Sequence, residues 1–257
     1  MSQQPKFRFY ASLLDAYEGY INSQRVWSEY WGFSEDPKYT ESEFEEQQRQ
    51  SLLNRINRVP IPWEETEAMD RGSVFNEIVD CIIEKRKSDK MKITSNMEAL
   101  TISAAYNNRT FVFPTHLCVD VANDIAGAVL QQFVSAPLET KYGTVELYGY
   151  ADAITAFQIT DIKTTSKYSA PKYLHNWQHL VYPYCLQHSG TDISEFNYLI
   201  IQMGKGTEIK SAQVFAEFYT YVAERDEPRL REHVEGLIEF VEANRDIITD
   251  TKIFNQN

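Results

Sequence analysis

In this 257-residue chain, one stretch carries residues able to do chemistry on a phosphate: Asp152, then Asp161 and Lys163, then Gln178 and Tyr182. On a β-strand, positions i and i+2 share a face, so Asp161 and Lys163 of DIKTT point together and Ile162 points away. Alone, such a pair is an ordinary salt bridge. Asp152, in GYADAI nine residues earlier, changes that. If the two strands pair, the carboxylates converge at one end of the sheet. Two carboxylates can hold Mg²⁺ with few protein ligands and leave water sites open. Such a metal acidifies a bound water and polarises a phosphoryl oxygen. A neighbouring lysine can orient the water or stabilise charge in the transition state. The chemistry would be metal-assisted phosphodiester hydrolysis.

A helix opened by Pro171 is expected to follow, through KYLHNWQHLVYPYCLQH. At about 100° per residue, His175, Gln178, His179 and Tyr182 would then lie on one polar face. Pro183 should kink that helix. His175 and His179 at i, i+4 could bind zinc, but the H-E-x-x-H pattern needs Glu where Asn176 stands. Upstream, Gly72 reads as a close-packing position, since no Gly-rich run or Walker lysine accompanies it.

The elements that must position these groups can be placed from the pattern. Ser12 could cap a helix through LLDAYEGYI, and Thr40 or Ser42 could open another that ends at Pro60 and Pro62. A third should run from about Glu67 to Lys87, with Val74, Ile78, Cys81 and Ile82 at helical spacing. The segment ALTISAAYNNRTFVF reads as a hairpin turning at Asn107-Asn108. An apolar helix is expected from roughly His116 to Phe133. Three short antiparallel strands should lie between Leu138 and Thr165, and two more from Glu195 to Val222 turn at Lys205-Gly206. A charged helix from Pro228 to about Asp246 ends the pattern. The order indicates an α/β or α+β fold with one mixed sheet behind a helical N-terminal region. The simplest organisation is one domain: residues 1–95 mainly helical, 96–221 the core, 222–257 a helix and tail.

Composition sets the limits. A 43% hydrophobic and 13% aromatic content is that of a folded globular protein. The apolar runs are short of a membrane span and the N-terminus lacks a signal-peptide pattern, which points to the cytoplasm. Three scattered cysteines favour reduced thiols and leave an iron–sulfur cluster, which normally takes four, without ligands. The net charge of −12 weighs against phosphate-binding partners. It is uneven, however. Between Lys141 and Phe215 six acids meet six lysines, whereas Ala216 to Asp250 holds ten acids and four arginines.

GYADAI, DIKTT and QHLVY together resemble the PD-(D/E)XK nuclease superfamily, specifically its RecB-like exonuclease branch, which includes CRISPR-associated and recombination exonucleases. The resemblance covers Tyr10 to about Tyr221 and is most specific from Gly149 to Tyr182. It implies a restriction-endonuclease-like core and a Mg²⁺- or Mn²⁺-dependent deoxyribonuclease, acting as an exonuclease in recombination, repair or phage DNA processing. Bacterial or phage-infected cytoplasm and a recombination partner protein go with that role. Asp152, Asp161 and the Ile162 carbonyl would hold metal. Lys163 would position water, Gln178 would fix Lys163 or that water, and Tyr182 would support the scissile phosphate. Thr164, Thr165, Lys167, Lys172 and His179 would contact DNA. The branch's G-x-x-x-H-E motif reads GSVFNE here, so Asn76 replaces the histidine ligand, with Glu77 in register. That departure motivates the alternative of a non-catalytic DNA-binding or assembly subunit.

Overall fold

The computed structural model describes residues 5–254. Its centre is a mixed six-stranded sheet in the order β1 (Phe7–Tyr10), β6 (Gly143–Ile154), β7 (Gln158–Thr165), β8 (Glu195–Met203), β9 (Ala212–Thr220), with β5 (Val129–Thr140) also paired to β6. β7 and β8 run parallel, joined over the sheet by α6 (Gln178–His188). A parallel pair needs such a crossover. β8, EFNYLIIQM, is buried at seven of nine positions because both its faces are covered. A separate antiparallel sheet holds β2 (Lys92–Asn96), β3 (Thr101–Tyr106) and β4 (Arg109–Pro114). The sequence pattern implied one sheet; β2, exposed along most of its length, carries too few apolar residues to be recognised.

Helices cover both faces. On one side lie α1 (Ala11–Ile21), α3 (Glu41–Ile56), α6 and α7 (Ala223–Ala243), in the core built on Leu14, Leu52, Leu147, Val181 and Leu237. On the other lie α4 (Glu67–Glu84) and α5 (Thr115–Asp124) with β3 and β4, around Val74, Ile78, Phe111, Phe113 and Ile162. The short α2 (Ser23–Trp31) follows α1. Thr40 caps α3 as expected, forming a capping box with Glu43. The β3–β4 turn falls on Asn107 and Asn108, both with positive φ, as a tight right-twisting hairpin requires. α1 begins at Ala11 without a side-chain cap from Ser12.

Two expected helices are shorter. The helix foreseen to Phe133 ends at Asp124, because Gly127 turns at φ +81° and Val129 onward enters β5. The helix foreseen from Pro171 starts only at Gln178. The backbone N–H groups of Lys172 and Tyr173 donate instead to the Glu217 carboxylate, at 2.7 and 3.1 Å. His175 therefore lies outside α6, half exposed, 3.9 Å from Glu18. The four-residue polar face does not form.

Candidate active site

β6 gives one edge to β5, at every position but Asp152, and divides the other. β1 takes Val145 to Tyr148, β7 takes only Ala153 and Ile154, and the strands separate between. The Asp152 carboxylate works at this split, accepting the Ile162 N–H through Oδ2 at 2.8 Å. That bond sets Asp152 beside Asp161. Burial, reinforced by the charge of Asp161, pushes the Asp152 carboxyl up to about 7.

Asp161, Lys163 and Gln178 form a closed polar triangle. Lys163 Nζ lies 2.6 Å from Asp161 Oδ2 and donates to Gln178 Oε1, also at 2.6 Å. Gln178 Nε2 donates to Asp161 Oδ1 at 2.8 Å and to the Tyr182 hydroxyl at 3.2 Å. The Gln178 amide is thereby fixed in orientation. Burial acts to lower the Lys163 pKa, but Asp161, Asp152 and Asp15 together raise it, so the group stays an ammonium. It can orient water or meet negative charge; it does not accept a proton. Burial likewise raises the Tyr182 pKa and keeps its hydroxyl protonated.

Two glycines bring the helical walls this close. A Cβ on Gly149 would run into the Tyr182 ring, with the hydroxyl 3.0 Å away. One on Gly72 would lie 2.9 Å from Thr164 Oγ1, so the lack of a side chain lets α4 lie on β7.

α4 supplies the other wall. Asn76, Glu77, Asp80, Lys90, Gln131 and Asp152 line a pocket of about 300 Å³. Asn76 Oδ1 is buried there without a hydrogen-bond partner. Glu77 is bound by Arg86 at 2.7 Å and Lys90 at 2.8 Å. Burial opposes its ionisation, yet these hydrogen bonds win and hold its carboxyl down to about 2. A carboxylate committed to two cations is a poor metal ligand. Asp80, one turn beyond Asn76, is 3% exposed and makes no hydrogen bond or ion pair among the described residues. Burial and then Glu77 push its carboxyl up to about 6. The sequence reading missed Asp80, although its i+4 spacing from Asn76 marks it as sharing that helix face.

Asp15 of α1 was also missed. It accepts the Trp177 N–H at 2.6 Å, at the start of α6, and lies near enough to Lys163 to feel its charge. Burial raises its carboxyl to about 6.

The predicted DNA contacts divide. Thr164 faces Gly72. Thr165 and Lys167 are tied to Lys172, whose Nζ donates to Thr165 Oγ1 at 2.6 Å and the Lys167 carbonyl at 3.0 Å. His179 is 7% exposed, stacked on Tyr219 at 4.2 Å, and pushed down to about 4 by burial. It packs in the core, away from any surface DNA could reach.

The donors fit a hard cation. They are carboxylate oxygens, the orphaned Asn76 amide oxygen and the Ile162 carbonyl, the oxygen set that Mg²⁺ prefers. Among the described residues, no group of three His, Cys, Asp or Glu side chains is gathered to hold a metal ion.

A mixed sheet flanked by helices, with Asp152 and an Asp161–x–Lys163 strand meeting where two strands part, defines a restriction-endonuclease-like fold. The sequence matches the PD-(D/E)XK nuclease superfamily over residues 52–251, and the chain belongs to that superfamily. No curated protein matches it. The crystal structure of SSO0001 is similar over 93% of this chain and 78% of its own, at 10% identity and a TM-score of 0.43.

Proposed function

We propose that this protein is a Mg²⁺- or Mn²⁺-dependent deoxyribonuclease of the RecB-like branch, an exonuclease that trims DNA in recombination, repair or phage DNA processing. The observation carrying this reading is the Asp161–Lys163–Gln178 triangle beside Asp152, which gathers four polar groups, with Asp161 and Gln178 buried among them. Desolvating such charges offsets most of what their pairing gains, so stability alone is a weak reason for the assembly.

Asp152, Asp161 and the Ile162 carbonyl would hold the metal, with Asn76 Oδ1 and Asp80 offering oxygen where the family has histidine. Bound there, the metal would supply an acidified water and a polarised phosphoryl oxygen. Lys163, kept charged, orients the attacking water and faces the negative charge that grows on phosphorus-bound oxygen. Gln178 holds the ammonium and Asp161 at fixed separation. Tyr182, protonated, can give a hydrogen bond to a phosphate oxygen. Asp15 holds the start of α6, and hence Gln178, in place.

The test is cleavage of labelled single- and double-stranded DNA with Mg²⁺ and with Mn²⁺. Lys163→Ala and Asp161→Asn should each lower turnover by at least about 100-fold, the scale of losing one preorganised electrostatic group. Equal background from wild type and both variants would leave only the non-catalytic reading. Calorimetric titration of Mn²⁺ into wild type and Asp161→Asn reads the metal site directly; equal affinity would remove it.

A further inference from the structure

An acidic chain that handles DNA must find affinity somewhere other than a broad basic surface. Tyr148, Tyr150 and Asp152 alternate on the face of β6 opposite the one that carries Leu147, Gly149 and Ala151 against α6. Register adds Phe133 of β5 opposite Tyr150, and Tyr10 of β1 opposite Tyr148. The rings form a chain: Tyr10 to Tyr148 at 6.0 Å, Tyr148 to Phe133 at 6.1 Å, Phe133 to Tyr150 at 5.2 Å. Arg8 lies over Tyr148, 4.9 Å from its centroid. Phe133 is 40% exposed and Tyr150 59%, so the end of the row nearest Asp152 is open.

The chain's densest positive charge lies beside the same end. The α4–β2 connection holds Lys85, Arg86, Lys87 and Lys90, and Lys92 opens β2, with Asp89 the one acid among them. Arg86, Lys87 and Lys90 line a pocket with Leu130 and Gln131 of β5, two residues from Phe133, and share it with the carboxylates of Asp80, Glu84 and Asp89, so the positive charge left for phosphate lies on the lysines outside ion pairs. Arg86 and Lys90 are held by Glu77. Among the described residues, Lys85, Lys87 and Lys92 make no ion pair and remain available to phosphate.

We infer that the Tyr148–Phe133–Tyr150 row is a base-stacking track for single-stranded DNA, delivering the strand to Asp152 with its phosphates toward the Lys85–Lys92 connection. Aromatic faces stack on unpaired bases and have nothing to grip on a closed duplex, whose bases are already stacked. With only Lys85, Lys87 and Lys92 outside ion pairs in the connection beside the row, stacking must supply most of the affinity, which selects an unpaired strand. Continuity fixes the direction of use, since the row ends at the carboxylate that starts the chemistry. This inference rests on the nuclease reading for its purpose, not for its measurement.

Fluorescence anisotropy in EDTA, with a 20-nucleotide oligothymidylate and a blunt 20-base-pair duplex, separates the two questions. Wild type should bind the single strand more tightly than the duplex. Phe133→Ala with Tyr150→Ala should weaken single-strand binding by at least about 30-fold. Tyr150→Phe, which keeps the ring, should bind as wild type does. Lys85→Gln with Lys87→Gln should lower the salt dependence of log K by about one or two. Melting temperatures of the exposed-site variants should match wild type, so that lost binding is not lost folding. A preference for duplex overturns the track. So does unchanged affinity in the double alanine variant, which would mark the row as a protein-docking surface. Either result leaves metal-dependent cleavage standing, whereas binding without any cleavage would sink the nuclease reading and keep the track.

Discussion

At the scale of single residues, the site packs opposed charges against one another. Asp152 shows the cost. Its carboxyl is pushed up to about 7, whereas an unfolded chain ionises Asp near 4, so the folded protein keeps a proton the unfolded chain has lost. Stability from this group is present below about pH 4 and falls as pH rises through about 7. Asp152→Asn removes the charge and can still accept the Ile162 N–H through its amide oxygen. Without metal, the variant should melt above wild type at pH 8, and the gap should narrow steadily toward pH 4. Mg²⁺ at pH 8 should raise the wild-type melting temperature and leave the variant unmoved. A variant that melts below wild type at pH 8 would show that Asp152 is not strained by burial. Most of these residues were legible in the sequence, because D-x-K and Q-x-x-x-Y are fixed by local spacing. Asp80 and Asp15 were not, since nothing local tells a buried acid on a helix from a solvated one.

At the scale of elements, the site is a meeting of two helices on one strand pair, and glycines set how closely they meet. Gly149→Ala would drive a methyl into the Tyr182 ring, which is 4% exposed and has nowhere to retreat. Overpacking of this kind costs about 1–3 kcal/mol. It should also pull the Tyr182 hydroxyl away from Gln178 Nε2, now 3.2 Å distant. Urea denaturation should show the loss, and Tyr182→Ala in the same chain should relieve part of it, giving a non-additive pair. Simple addition of the two costs would mean that ring and glycine do not meet. The β3–β4 hairpin and strands β6 to β9 were readable because turn residues and alternation are local signals, whereas β2 and the first part of β5 were not. The start of α6 was not. Glu217 and Asp15, 44 and 162 residues away from the groups they bind, take backbone donors of the 171–177 segment that the sequence pattern assigned to the helix.

At the scale of the whole molecule, the N-terminal segment belongs to the centre of the fold. The sequence shows helices there, and four residues of strand are too short to stand out. Yet β1 lies parallel to β6 in exact step with it, Phe7 opposite Val145 and Tyr10 opposite Tyr148. Phe9 is fully buried, and the Phe7 ring lies 6.0 Å from that of Phe254 near the other end of the chain. β1 runs straight into α1, which carries Asp15 to the start of α6 and so to Gln178. The sheet edge, the helix start and the Asp161–Lys163–Gln178 triangle are thus linked through Phe7 to Asp15. Phe9→Ala should cost about 3–5 kcal/mol, the usual range for emptying a buried aromatic site. In a chain of this size that lowers the melting temperature by about 2–4 °C per kcal/mol. Below the new transition, turnover should fall more than single-strand affinity, because Gln178 loses its support while Phe133 and Tyr150 keep theirs. A melting temperature within a degree or two of wild type would mean that β1 merely decorates the sheet.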